Sequence, residues 1–73
     1  MQGTRFERLM EFLRRDTNNP RLLEDATTTA IDEGRPGEAE KLIERAEALG
    51  PLSPQMSNLK GLVALQMESF AVA

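Results

Sequence analysis

The first regular run of apolar residues lies near the amino terminus. Four of them follow the i, i+3, i+4, i+7 spacing of one helical face: Phe6, Leu9, Met10 and Leu13. Thr4 precedes this face and Glu7 follows it by three residues, which is the capping-box pattern found at many helix starts. Arg14 and Arg15 supply positive charge where a helix end favours it. The pattern predicts a first helix over residues 4–15.

Three further helices are predicted, each bounded by residues that cap or break helices. Asn19 and Pro20 indicate the start of the second helix, which ends at Gly34. Its inward-facing residues are Leu22, Leu23, Ala26, Ala30 and Ile31. A third helix follows Pro36, and its inward-facing residues are Ala39, Leu42, Ile43, Ala46 and Leu49. A fourth helix begins at Pro54, with apolar residues on more than one face.

These four helices predict an all-α fold in a single domain, 1–73. Their connections are too short to return the chain to a parallel start, so neighbouring helices are expected to be antiparallel. No stretch alternates polar and apolar residues as a strand would. The run Thr27–Thr29 is unfavourable in a helix, by roughly half a kcal/mol for each residue relative to alanine. We expect these threonines either to fill small packing positions or to offer hydroxyl groups in a groove.

The composition is that of a globular chain that stays in water. Of its 73 residues, 40% are apolar and 29% are charged, so it is too apolar for disorder and too charged for membrane insertion. The net charge is −3, and the basic residues do not form the clustered face that nucleic acid requires. The amino terminus shows no secretory signal, which leads us to expect a cytoplasmic protein.

The chain also lacks the residues that most enzymes use. It contains no histidine and no cysteine, which removes the commonest general base, the thiol nucleophile and the soft metal ligands. Glu40 and Glu44 are one helical turn apart, but on a charged helix face such a pair is usually solvated. No glycine-rich phosphate loop is present. We therefore expect neither an enzyme nor a bound metal or cofactor.

A shift of 34 residues superposes the chain on itself. It brings Pro20 onto Pro54 and Ala30 onto Ala64. In its spacing the segment 20–53 resembles one complete tetratricopeptide repeat, with two helices joined at a glycine turn. Its small positions, its bulky position and its closing proline are Ala39, Ala46, Ile43 and Pro51. The segment 54–73 is similar to the start of a second repeat, and 4–15 is similar to the second helix of a preceding one.

The resemblance implies antiparallel helical hairpins stacked into a superhelix, and a groove lined by the first helix of each repeat. The groove residues would be Arg21, Glu24, Asp25, Thr28 and Asp32 on the second helix, and Asn58, Leu59, Leu62, Leu65 and Gln66 on the fourth. Glu24 and Thr28 stand where carboxylate-binding family members place lysine and asparagine, which disfavours an acidic tail as ligand. For Leu59, Leu62 and Leu65 the alternative is packing within or between repeats.

Two functions follow as expectations. The first is a protein-interaction module that binds a peptide or helix of a partner, as an adaptor or a secretion-chaperone-like protein in a bacterium. The second is a structural or oligomerisation segment of a larger protein, with no separate ligand. Because the second repeat is incomplete, we also expect an apolar stripe that a second copy, further chain or a partner covers. Its residues would be Met56, Val63, Met67 and Phe70.

Overall fold

Each helix forms where the capping and apolar patterns predict it. The computed structural model describes residues 4–71, and the side chains of residues 4–69. Within that range the chain forms four α-helices and no strand. Their bounds are Arg5–Arg15 for α1, Pro20–Asp32 for α2, Pro36–Leu49 for α3 and Pro54–Ala71 for α4. The prediction of an all-α fold is confirmed.

Side-chain caps fix the starts of the first two helices. At α1, Thr4 Oγ1 accepts from the Glu7 backbone N–H, and the Glu7 carboxylate accepts from the Thr4 backbone N–H, each at 3.2 Å. At α2, Asn19 Oδ1 accepts from the backbone N–H groups of Arg21 at 3.0 Å and Leu22 at 3.2 Å. These bonds occupy donors that a helix start otherwise leaves without a partner.

The turn between α2 and α3 depends on Gly34. Its φ of +72° lies in the left-handed region, where a side chain would be strained. This conformation directs the Gly34 N–H to the carbonyl of Ile31 at 3.1 Å, and the Arg35 N–H to the carbonyl of Ala30 at 2.8 Å. The two bonds form a Schellman motif, which ends α2 and reverses the chain.

The helices form a thin slab with α2 at its centre. α2 packs against α1, α3 and α4, and α3 also packs against α4. The slab measures 37 × 36 × 15 Å, about two helices thick. Ser53, just before α4, reaches Glu24 in the first half of α2, and Gln66 reaches the carbonyl of Ile31 near its end. α2 and α4 therefore run side by side in the same direction.

The core combines large aliphatic residues with very small ones. Its buried members are Phe6, Leu13, Leu23, Ala26, Ala30, Ala39, Leu42, Ile43, Met56, Leu59 and Val63. Ala26, Ala30 and Ala39 have no exposed surface, which indicates that the helix backbones approach closely at these points. The Arg35 guanidinium lies 5.3 Å from the centre of the Phe6 ring and covers one edge of this core.

The threonine run is accommodated within α2. The Thr27 hydroxyl donates to the carbonyl of Leu23 at 2.6 Å, and the Thr28 hydroxyl donates to the carbonyl of Glu24 at 3.0 Å. Thr27 has no exposed surface and Thr29 is also buried. A threonine hydroxyl bonded to the preceding turn carries no unsatisfied polar group into the core. Thr27 therefore serves as a small packing residue, one of the two roles predicted for the run.

The 34-residue period also appears in the structure. α2 begins at Pro20 and α4 at Pro54, whereas α1 ends at Arg15 and α3 at Leu49, so both pairs of boundaries are 34 residues apart. The caps repeat as well, because Ser53 accepts from the Met56 backbone N–H at 3.2 Å where Asn19 caps α2. The chain is thus built from two equivalent pairs, α1 with α3 and α2 with α4.

Leucines on the two sides of α3 should differ sharply in their importance for stability. Leu42 is 2% exposed and Leu49 is 50% exposed. We expect Leu42→Ala to lower the free energy of unfolding by about 2–5 kcal/mol, since it removes buried surface and leaves a cavity. Leu49→Ala should cost less than about 1 kcal/mol. Urea unfolding followed by circular dichroism measures both, and equal losses would contradict the described core.

The cap of α2 can be tested in the same way. Asn19→Ala removes the acceptor for two backbone N–H groups and should cost about 1 kcal/mol, whereas Asn19→Gly should cost only a few tenths. Asn18→Ala is the control, because this exposed neighbour is not the cap of α2. An Asn19→Ala protein with wild-type stability would show that the cap contributes nothing.

Candidate partner-binding surface

The predicted groove residues of α2 lie along one side of that helix. Arg21, Asp25 and Asp32 are exposed, while Glu24 and Thr28 are partly buried. The capping of α2 by Asn19 and its closure at Gly34 hold this row in a regular helix. The row contains one basic and three acidic residues, so it presents a predominantly negative surface.

The predicted groove residues of α4 divide into accessible and inaccessible ones. Leu62 and Leu65 are 49% and 65% exposed, and Asn58 is exposed. Leu59 is only 8% exposed and belongs to the core, as the packing alternative for this residue predicted. Gln66 is partly buried. A ligand could therefore contact the two exposed leucines, but not Leu59.

The two helices meet along a polar seam. Glu24 Oε2 accepts from the Ser53 hydroxyl at 3.5 Å, and Gln66 Nε2 donates to the carbonyl of Ile31 at 3.5 Å. The other amide oxygen atom of Gln66, Oε1, is buried and has no hydrogen-bond partner among the described residues. Both bonds are long and therefore weak. The seam lets Glu24 and Gln66 turn toward a ligand at little cost.

A cleft of about 550 Å³ opens at the end of the slab where α2 and α4 begin. Its lining residues are Asn18, Pro20, Arg21, Leu23, Glu24, Ala46, Leu49, Gly50, Pro51, Leu52, Ser53 and Met56. Leu49 is half exposed, and Leu52 is partly buried. Arg21 and Glu24 belong both to this cleft and to the acidic side of α2. The cleft and the predicted groove are therefore continuous.

The cleft was not predicted from the sequence, because Leu49 was assigned to the inward face of α3. Its spacing from Leu42 does continue that face, but the packing ends before it. Leu49 lies beside Asn18 and Pro20, where α2 is only beginning, so α2 offers little to cover it. The signal available in the sequence was the position of Leu49 as the last residue before Gly50 and Pro51.

The residues predicted to form a self-association stripe are also separated by the structure. Met56 and Val63 are 4% and 3% exposed and lie in the chain's own core, so they cannot form an open stripe. This corrects the prediction for both, and the reason is that α4 packs with that face against α2 and α3. Met67 is 36% exposed. The side chain of Phe70 lies outside the described residues.

Two properties of the described residues concern other classes of site. No three histidine, cysteine or carboxylate side chains within that part of the chain are placed to hold a metal ion. No helix in the same part has the length and apolar character needed to span a membrane. Comparison with family models, with curated proteins and with solved structures finds no match for this chain. The tetratricopeptide resemblance therefore depends on the chain's own spacing.

Proposed function

We propose that this chain is a protein-interaction module that binds an extended or helical segment of a partner protein. The observation that carries the proposal is the apolar cleft between the starts of α2 and α4, which is continuous with the acidic side of α2. Binding sites commonly combine an apolar recess with a few polar groups that orient the ligand. Leu49 and Leu52 supply the recess, and Arg21 and Glu24 stand at its edge.

The charges at this surface favour a ligand with a few basic residues. Glu24, Asp25 and Asp32 lie along α2, and Arg21 is the positive charge among them. Opposite charges steer association and exclude acidic competitors. A ligand that places one or two apolar side chains in the cleft can lay its basic residues along α2. A segment ending in an acidic tail would meet Glu24 and is disfavoured.

The 34-residue period supports this proposal through the tetratricopeptide resemblance. In that family the first helices of successive repeats line the ligand groove, and α2 and α4 are the corresponding helices here. Their parallel arrangement is what such a groove requires. A role as an adaptor or secretion-chaperone-like protein is consistent with a small module of this kind. The competing proposal is a structural segment in which Leu49 and Leu62 only pack against other parts of a larger protein.

A peptide array tests the ligand chemistry directly. The probes are 15-residue peptides in four matched sets, with either leucine or serine anchors four residues apart and either lysine or glutamate between them. We expect binding only of the set with leucine anchors and lysine, and weaker binding as salt is raised, because exposed charges are screened. Equal binding of the glutamate set would contradict the assignment of a basic ligand.

Variants of the protein locate the site. Leu49→Asp places a charge in the cleft and should weaken binding of the best peptide at least about tenfold, or about 1.4 kcal/mol. Leu62→Asp should weaken it to a smaller extent if the ligand extends along α4. Ala48→Asp is the matched control, since this exposed neighbour does not line the cleft. Loss of helical circular dichroism together with binding in Leu49→Asp would favour the structural alternative.

A further inference from the structure

The exposed apolar residues are concentrated on the two outermost helices. Phe12 on α1 is 56% exposed, and on α4 Leu62, Leu65 and Met67 are 49%, 65% and 36% exposed. In the described part of the chain α1 packs only against α2, and α4 packs only against α2 and α3. Each outer helix thus keeps a face that no other helix covers.

The internal period identifies what is missing from α4. In α2, which has neighbours on several sides, Leu23, Ala26, Thr27 and Ala30 are all buried. A shift of 34 residues leads from these to Ser57, Lys60, Gly61 and Ala64 on α4, and all four are exposed. A Cβ atom added at Gly61 would meet nothing within 4 Å. α4 therefore lacks a helix where α2 has one.

The same period identifies a helix that could fill this position. α3 covers α2 in the complete hairpin, and α1 is the equivalent of α3, since both end at corresponding residues. Leu9 and Phe12 of α1 correspond to Ile43 and Ala46 of α3. Ile43 is 2% exposed, whereas Leu9 is partly exposed and Phe12 is exposed. α1 thus has the face of a second hairpin helix but no first helix to pack it on.

The side-chain sizes at the two unpartnered faces are complementary. In the complete hairpin Leu23 and Ala46 line the same cleft, a large residue on α2 beside a small one on α3. The corresponding pair is Ser57 on α4 and Phe12 on α1, which is small beside large. The summed volume is preserved although the sizes are exchanged. Core positions tolerate such exchanges when total volume is kept.

The charges of the two ends are complementary as well. Residues 4–16 carry four arginines and three acids, whereas residues 18–73 carry five basic and nine acidic residues. α1 is thus basic and the remainder of the chain is acidic. An antiparallel pairing of α1 with α4 would also bring Arg5, at the start of α1, toward Glu68 near the end of α4. Complementary potentials favour this arrangement over one that joins two basic or two acidic ends.

We propose that the chain associates head to tail, with α1 of a second copy packing on the Ser57, Gly61 and Ala64 face of α4. The second copy completes the hairpin that α4 begins. Because the two surfaces differ, each copy retains one free end, so the association is open-ended or closes into a ring. One pair of helices makes a small interface, and association is expected at about 10 µM to 1 mM.

Light scattering on the whole chain over that range tests the proposal. The weight-average mass of the wild type should rise with concentration beyond twice the 8.1 kDa of one chain. Phe12→Ala leaves small beside small, and Ser57→Leu sets large against large, so each variant alone should associate at least about tenfold more weakly. An equimolar mixture of the two should regain wild-type mass, because both pairings formed between unlike copies then join a large residue with a small one.

Several results would overturn the proposal. A wild type that remains at 8.1 kDa at 1 mM excludes the association, and a stable dimer that does not grow shows a symmetric interface instead. Failure of the mixture to recover mass, with both variants as helical as the wild type, shows that Phe12 and Ser57 do not meet. Leu49→Asp, which alters the cleft and not these faces, should associate normally. Its loss of peptide binding is therefore distinguishable from a failure here.

Discussion

The close approach of other helices to α2 is the constraint on which the rest of the structure depends. Ala26, Thr27 and Ala30 have no exposed surface, and only small side chains let neighbouring backbones come this near. Thr27 fits because its hydroxyl is satisfied by the turn before it and brings no unpaired donor into the core. With α2 covered from several sides, a short chain buries enough apolar surface to hold four helices together.

The same constraint explains why the accessible apolar surface lies at the edges. A thin slab has one well-covered helix, and every other helix is covered on part of its circumference. Leu49 projects beyond the start of α2 and becomes the wall of a cleft, while Phe12 and Leu65 lie on outer faces. In an array of equivalent hairpins such faces are covered by the next unit. Exposure at the edges is thus a consequence of the period and of the number of helices present.

Local signals in the sequence were sufficient to predict the helices. The capping box at Thr4, the cap at Asn19 and the turn at Gly34 act within a few residues, and each is found as predicted. The exposed side of α2 could also be derived, because its helical phase follows from the buried alanines. Leu49 and the pair Met56 and Val63 could not be placed correctly. Their burial depends on where a neighbouring helix begins or packs, and the period of one helix carries no information on that.

Position along the groove was predicted less well than membership of it. Leu59 and Leu62 are three residues apart on α4, yet one is in the core and the other is half exposed, because the boundary between them is drawn by α2. The polar seam formed by Glu24 and Gln66 with α4 and α2 required the relative direction of two helices that are not consecutive. Only the assembled structure supplies that relation.

The two proposed surfaces meet on α4, and this makes them thermodynamically linked. One side of α4 borders the seam with α2, where a peptide would lie, and another side carries the open face at Gly61. A second copy on the open face would restrict α4, and a ligand in the groove would restrict it as well. If either one alters the free energy of the arrangement that the other requires, the effect must be reciprocal. The orientation of α4 on α2, held by weak polar bonds, is then the property through which binding and association influence each other.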